Sequence, residues 1–273
     1  MAKKLKIGVV GCGAIGSSLA KEISCNMRDC ACLSALYDIK KDRARDLAHK
    51  IGCSPGICAG SLRELIKRSS LVVEASSAMA SWDIARKSLS SGSSIMVMSV
   101  GGMVGHWDEL YKLCLKRKSM AYFPSGAISG VDALKGAKAA GIRSVVLTTR
   151  KNPKAFSGVD YVKKHFDLSG IKSDKLLFKG NAARAVKYFP QNVNVAAILG
   201  LAGIGMYKTQ VRIIASPAVN RNIHEIEIIS DAAKIFTRTE NVLHPQNPKT
   251  SFLAVLAAIA TLRQILNPVR IGT

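Results

Sequence analysis

The chain has 273 residues, which is long enough for one large domain or two smaller ones. Its residues are 48% hydrophobic and 21% charged, a composition that excludes a disordered or fibrous protein. Forty Lys and Arg against 18 Asp and Glu give a formal net charge of +22. The basic residues are dispersed, without interleaved aromatic residues. This pattern excludes a stacking platform for nucleic acid and favours non-specific attraction of anionic ligands.

We expect a cytoplasmic protein with no membrane partner. No apolar run reaches the roughly 18 residues of a membrane span, and the first residues lead into a strand pattern without the features of a signal peptide. The seven cysteines include no CxxC pair, so their spacing predicts no metal site. Reduced thiols in a cytosol account for them.

The first predicted elements form a nucleotide-binding unit. Leu5–Val10 has the composition of a buried parallel strand and leads into GCGAIG, a G-x-G-x-x-G before a helical pattern. In such a loop the first glycine permits a tight turn, the second lets backbone N–H groups approach a pyrophosphate, and the third allows close helix packing. The residues predicted to bind a dinucleotide are Gly11, Gly13, Ala14, Ile15 and Gly16.

An acidic residue follows the second predicted strand. Cys32–Tyr37 ends at Asp38, about 20 positions beyond the glycines, where a carboxylate binds the ribose 2′-hydroxyl of NAD and repels the 2′-phosphate of NADP. Lys40, Lys41 and Arg43 come directly afterwards and could hold that phosphate if Asp38 turned aside. The cofactor is therefore NAD or NADP, with the choice open.

Alternating elements continue to residue 124. Helices are predicted at 41–50, 61–68, 79–91 and 107–118, and strands at 71–75, 94–98 and 120–123. This alternation predicts an α/β domain over residues 1–124, a Rossmann-type doubly wound parallel sheet. Ligands of such sheets bind outside the carboxyl ends of the strands. We therefore expect the turn containing Ala75 and Ser76 to contact the cofactor.

The pattern changes after Pro124. Ser125–Gly130, the small-residue loop, precedes a helix at 131–140. Further helices are predicted at 182–189 and 192–206, and strands at 143–149, 174–178, 209–216 and 222–229. These elements predict a second, α+β domain over residues 125–245, with an antiparallel or mixed sheet covered on one face. The loop's backbone donors could hold an anion or an amide, and a plain hinge is the alternative.

The strand at 222–229 carries a histidine. Alternation places His224, Ile226 and Ile228 on one face, with Glu225 and Glu227 on the other. A lone histidine on an apolar face is usually a core residue with a satisfied hydrogen bond. A catalytic role is the alternative.

The last segment, residues 246–273, is predicted to return to the first domain. Asn247 and Pro248 suit the N-cap and first position of an apolar helix that runs through Leu266. The run is too short for a membrane span, and its broad apolar surface predicts a buried helix.

Several segments together resemble a known family. They are GCGAIG at 11–16, VEAS at 73–76, MSVG at 98–101, PSGAISGVDAL at 124–134, FPQNVNVAA at 189–197, NIH at 222–224 and NPKTS at 247–251. With them, nearly the whole chain resembles the L-aspartate dehydrogenases. The glycine pattern is shared by many unrelated enzymes, whereas the segments at 124, 189 and 247 are much more specific in combination.

The resemblance implies NAD(P)-dependent oxidation of L-aspartate to iminoaspartate by a homodimer, which yields oxaloacetate and ammonia or feeds NAD biosynthesis. By position it makes His224 catalytic and places Ala127 and Asn194 against the nicotinamide cofactor.

The two carboxylates of aspartate require cationic or N–H partners. The candidates in this chain are Ser125, Arg221 and Lys249.

Two alternatives remain open. One is a related two-domain reductase of the dihydrodipicolinate reductase or homoserine dehydrogenase type. The other is an NADH-sensing regulator that binds DNA through its positive surface. No helix-turn-helix or aromatic–basic module supports the regulator, and we expect no specific nucleic-acid partner.

Overall fold

A computed structural model describes residues 4–189, 194–245 and 247–272. The chain divides into two compact units, Met1–Pro124 with Ala257–Arg270, and Ser125–Leu256 with Ile271–Thr273. The second boundary falls inside the C-terminal helix, whereas the sequence analysis placed it at residue 246.

The first unit alternates strand and helix, as predicted. Its elements are β1 Leu5–Val10, α1 Ala14–Asn26, β2 Ala31–Tyr37, α2 Lys41–Lys50, α3 Leu62–Arg68, β3 Leu71–Glu74, α4 Ala78–Ser90, β4 Ser94–Val97, α5 Trp107–Arg117 and β5 Ala121–Tyr122. The strands pair in the order β2-β1-β3-β4-β5, and every pairing is parallel. This arrangement confirms the doubly wound sheet, and it brings the carboxyl ends of β1, β2, β3 and β4 to one edge.

Apolar side chains cover both faces of this sheet. On one face, residues of β1 pack against α1 and α2, with Leu19, Ile23 and Leu47 at most 4% exposed. On the other, Val72 and Ile95 pack against α3, α4 and α5. A sheet buried on both faces explains the nearly continuous apolar strands in the sequence.

The second unit contains a mixed sheet. Its elements are α6 Val131–Lys138, β6 Ile142–Lys151, α7 Asp160–His165, β7 Lys175–Asn181, α8 Ala182–Tyr188, α9 Asn194–Ala202, β8 Gln210–Ala215, β9 Asn222–Ser230, β10 Lys234–Asn241, β11 Leu243–His244 and β12 Asn247–Ser251. The strand order is β10-β9-β6-β8-β7, with β6 and β8 parallel and the other neighbours antiparallel. This confirms the predicted mixed sheet.

Strand β10 was not predicted. It pairs with β9 along its whole length, at the edge of the sheet. Its even-numbered residues before the end, such as Phe236 and Arg238, are exposed, while Thr237 and Thr239 are only half-buried. Because neither face is strongly apolar, the sequence lacks the alternation that identifies a strand.

Two helix predictions need correction. The helix predicted at 192–206 ends at Ala202, because Gly205 adopts a φ of +93°, and residues 192 and 193 lie outside the described part of the chain. The predicted cap at Asn247 and Pro248 is wrong. These residues belong to β12, which pairs with β11, and the helix α10 spans Phe252–Leu266.

Helix α10 contributes to the core of the first unit through its C-terminal part. Ala258 and Leu262 are fully buried there, together with residues of α1 and α2. The guanidinium of Arg263 pairs with Glu22 of α1 at 2.6 Å. This confirms the predicted return of the C-terminal helix to the first domain. Among the described residues, no helix has the length and hydropathy of a membrane span.

Candidate active site

The loop Gly11–Gly16, hereafter the glycine loop, connects β1 to α1 and needs its glycines for different reasons. Gly11 has a φ of +92°, and a Cβ there would lie 2.4 Å from the carbonyl oxygen of Ala75. At Gly16 a Cβ would lie 1.8 Å from the carbonyl oxygen of Gly11. These two glycines are therefore required by the fold itself.

Gly13 is different, because no protein atom lies within 4 Å of the position that its Cβ would take. Its φ of −76° is accessible to any residue. Packing therefore does not explain this glycine, whereas close approach of a pyrophosphate does. Ala14 and Ile15 begin α1, whose free backbone N–H groups and positive end suit the same phosphates. The loop fits a dinucleotide cofactor.

Asp38 lies at the end of β2 and is buried against the glycine loop. One carboxylate oxygen accepts a hydrogen bond from the backbone N–H of Cys12 at 2.8 Å, and the other accepts from Lys40 N–H at 2.8 Å. The side chain is thus turned toward the loop rather than aside. Each oxygen retains a lone pair that a ribose hydroxyl can use. Lys40, Lys41 and Arg43 are exposed.

Cys12 is not a reactive thiol. Burial, followed by the charge of Asp38, raises its pKa to about 12, so the thiol stays protonated at neutral pH. The residue is a small side chain that fits the loop.

Glu74, which sequence reasoning did not single out, organises two turns at the same sheet edge. Its fully buried carboxylate accepts hydrogen bonds from the N–H and hydroxyl of Ser76 at 2.7 and 2.8 Å, and from those of Ser99 at 3.0 and 3.1 Å. Burial raises its pKa, and these hydrogen bonds oppose the rise. Glu74 thereby fixes the turn that contains Ala75 and Ser76.

In the second unit, His224 lies on the buried face of β9, 3% exposed. Its Nδ1 lies 2.9 Å from Oγ1 of Thr149, the residue opposite it on β6. A hydrogen bond at Nδ1 fixes the ring and leaves Nε2 for a ligand. The predicted alternation is confirmed, since Ile226 and Ile228 are buried with His224 whereas Glu225 and Glu227 are partly exposed.

Lys151 lies on the same face of β6, two residues beyond Thr149. It is 5% exposed, and burial lowers its pKa to about 8. Burial and, second, the charge of Lys151 lower the pKa of His224 to about 3. The imidazole is therefore neutral at physiological pH. The strand predicted to end at Thr149 was too short to place Lys151 in the site, although the alternation of β6 continues to it.

The small-residue loop is held by β10. Nδ2 of Asn241 donates to the carbonyl oxygen of Ala127 at 2.9 Å, and the hydroxyls of Ser129 and Thr239 lie 3.1 Å apart. Because Thr239 pairs with His224 across the two strands, the loop lies near this histidine. Sequence reasoning missed Asn241 because it missed β10.

The remaining candidates lie in the small-residue loop, before β9, at the start of α9 and in β12. Ser125 is half-buried at the start of the small-residue loop, and Arg221 is exposed immediately before β9. Asn194 is the first residue of α9 and is exposed. Lys249 belongs to β12, and its side chain lies outside the described part of the structure. Within the described ranges, no cluster of His, Cys, Asp or Glu could hold a metal ion.

Comparison with protein families gives two matches that divide the chain. Residues 132–265 match the C-terminal domain of aspartate dehydrogenase. Residues 11–124 match the NAD-binding domain of homoserine dehydrogenase.

Individual proteins match over nearly the full length. An L-aspartate dehydrogenase of Methanosarcina mazei is 46% identical, covering 98% of this chain and 100% of its own. One from Nitrosopumilus maritimus is 37% identical over 98% of this chain and 99% of its own. The crystal structure of aspartate dehydrogenase from Thermotoga maritima has a TM-score of 0.75 at 25% identity, covering 99% of this chain and all of that one.

Proposed function

The chain belongs to the L-aspartate dehydrogenase family, and from this premise we propose that it oxidises L-aspartate to iminoaspartate with NAD or NADP. The observation that carries the proposal is the buried face of β9 and β6, where a neutral His224 is oriented by Thr149 beside Lys151. The open space at Gly13 supports the cofactor. Iminoaspartate then hydrolyses to oxaloacetate and ammonia, or it feeds NAD biosynthesis.

The proposed chemistry assigns a proton and a hydride to different acceptors. A bound nicotinamide would supply the acceptor for the hydride of the α-carbon, which requires the two carbons to be held in contact. His224 takes the proton from the α-ammonium group, so that the nitrogen lone pair can form the iminium. The negative charges of the two substrate carboxylates oppose the lowering of the His224 pKa, so the imidazole is a stronger base in the complex than in the free protein. We assign Ala127 and Asn194 to the cofactor. The substrate carboxylates are assigned to Ser125, Arg221 and Lys249.

The experiment that tests this proposal is a reduction assay with the purified protein. L-aspartate should support reduction of NAD or NADP, read by absorbance of the reduced nicotinamide, whereas L-homoserine should not. Turnover with homoserine, or reduction of dihydrodipicolinate, and none with aspartate would overturn it. The sequence relatives favour neither alternative, because they are L-aspartate dehydrogenases.

Cofactor choice gives a separate prediction. Asp38→Ala is expected to lower the ratio of kcat/KM for NAD to that for NADP by about tenfold or more, because the carboxylate that repels the 2′-phosphate is gone. Asp38→Asn should shift the ratio in the same direction, while its amide oxygen can still accept the hydrogen bond from the backbone N–H of Cys12. The control is Asp42→Ala, which removes an exposed carboxylate of α2. An unchanged ratio in both Asp38 variants would exclude Asp38 as the ribose contact.

The pKa of His224 gives another prediction. In the free protein its Cε1–H resonance should titrate well below pH 6.5, toward the lowered pKa of about 3. The unfolded state then binds more protons between these values, so His224 makes the free energy of unfolding fall as the pH falls through this window. Lys151→Met should raise the pKa only in part, because burial is the larger cause. A midpoint of 6.5 or higher in the free wild type would contradict the assignment.

We also propose a cytoplasmic homodimer that binds neither a membrane nor a specific nucleic acid. All seven cysteines are free thiols, as is typical of a reducing compartment. The family resemblance supports the dimer, and sedimentation equilibrium would test it directly.

A further inference from the structure

One buried acceptor on β10 has no hydrogen-bond partner within the described part of the chain. Asn241 is 2% exposed, and its Nδ2 donates to the carbonyl oxygens of Ala127 at 2.9 Å and Asn222 at 3.4 Å. Among the described residues, its Oδ1 has no hydrogen-bond partner. Buried acceptors without a donor are rare and destabilising, so each calls for an explanation.

The orientation of this amide is fixed by its neighbours. If it were flipped, Oδ1 would face the two carbonyl oxygens that now accept from Nδ2, which is repulsive. Thr237 Oγ1 is also buried without a partner, but a hydroxyl can rotate and act as donor or acceptor. Oδ1 can only accept, and no described residue supplies a donor for it.

Asn241 is a near neighbour of His224. Thr239 lies opposite His224 in the antiparallel pair, and Asn241 lies two residues further along, opposite Asn222. Such diagonal positions share one face of the sheet, with Cα atoms about 7–8 Å apart. A small ligand that reaches His224 therefore lies within reach of Oδ1.

We propose that Oδ1 of Asn241 accepts a hydrogen bond from the amino group of the substrate, an inference that rests on the proposed function. Neither carboxylate of aspartate has a hydrogen to donate, whereas the ammonium, the neutral amine and the iminium all carry N–H groups. One uncharged acceptor can thus remain bonded throughout the oxidation.

The same contact selects against a hydroxy acid. A hydroxyl group has a single hydrogen, and its oxidation to a ketone leaves a carbonyl oxygen facing the amide oxygen. The product state would then lose the hydrogen bond and gain a repulsion. Asn241 therefore acts as a specificity-determining residue that favours amine over alcohol oxidation.

The test compares two substitutions of this residue. Asn241→Ala removes both the acceptor and the donor to Ala127, whereas Asn241→Asp keeps an acceptor oxygen and loses the donor. We expect kcat/KM for L-aspartate to fall at least tenfold in N241A and clearly less in N241D. The KM for ammonium in the reverse reaction should rise in N241A more than in N241D. Both variants lose the donor to Ala127, so the Kd for NADH should be the same in the two within about twofold. Glu240→Ala, an exposed neighbour on β10, is the matched control.

Equal losses in N241A and N241D would overturn the proposal, because they would assign the effect to the donor that holds the small-residue loop. A Kd for NADH that rises in N241A but not in N241D would assign Oδ1 to the cofactor, and would overturn the proposal too. If N241A does not fold, N241L preserves the volume and replaces it in the comparison. A wild type without aspartate turnover would instead refute the proposed function.

Discussion

Replacing His224 with alanine should lower kcat for L-aspartate by about 10²–10⁴-fold, the usual contribution of a positioned general base. The neutral imidazole is the proposed base for the substrate ammonium, and its ring is held by Thr149. NADH binding should change by no more than about twofold, because His224 is not among the residues assigned to the cofactor and its hydrogen bond goes to Thr149. Steady-state kinetics and fluorescence titration of NADH measure the two effects separately.

Two variants control for a structural cause. His224→Gln keeps a polar group that can bond to Thr149 but supplies no base, so it should fold and remain inactive. His165→Ala removes an exposed histidine that stacks on Tyr161 in the same unit and should retain full activity. Turnover of His224→Ala near that of the wild type would exclude the catalytic assignment.

The second large effect is expected at Gly13. Gly13→Ala should raise the Kd for NAD and NADH by at least about tenfold, because the added methyl group occupies the space that a pyrophosphate needs. The melting temperature should be unchanged, since no protein atom lies within 4 Å of the new Cβ. Calorimetric titration and thermal unfolding followed by circular dichroism give the two values.

Two other glycines serve as controls. Gly136, in α6, also has no atom within 4 Å of its Cβ position, so Gly136→Ala should leave cofactor binding intact. Gly16→Ala places a Cβ 1.8 Å from a carbonyl oxygen and should destabilise the protein itself. Wild-type affinity in Gly13→Ala would mean that no phosphate approaches the loop at this point.

Much of the first unit could be predicted from the sequence, because its strands are buried on both faces and its helices have one apolar side. The glycine loop is specified by local chemistry, and the structure bears out the tight turn at Gly11 and the close packing at Gly16. The buried Glu74 was missed because its hydrogen bonds connect two turns that are distant in the sequence.

The second unit was harder to predict where strands are held by pairing with a neighbouring strand and carry no clear hydrophobic pattern. Strand β10 is polar on both sides and exists through its ladder with β9, so Asn241 could not be placed beside His224 beforehand. The segment at Asn247 has good helix-start residues, but pairing with β11 draws it into a hairpin. Lys151 continues the alternation of β6. It was missed because a charged residue after an apolar pattern usually indicates that the strand has ended.

These misses share a physical cause. Each residue is placed by a neighbour in another strand or turn. Its role depends on burial, which the local sequence pattern does not indicate. The residues carried by the family resemblance, Ala127 and Asn194, remain predictions that cofactor-binding measurements must test.

The most direct measurement follows the hydrogen that leaves the substrate. L-aspartate deuterated at the α-carbon is incubated with the protein and oxidised cofactor, and the reduced cofactor is analysed by NMR and mass spectrometry. We expect one deuterium at C4 of the nicotinamide for each iminoaspartate formed, together with slower turnover than with ordinary aspartate. Reduced cofactor without deuterium, or no reduction at all, would contradict it.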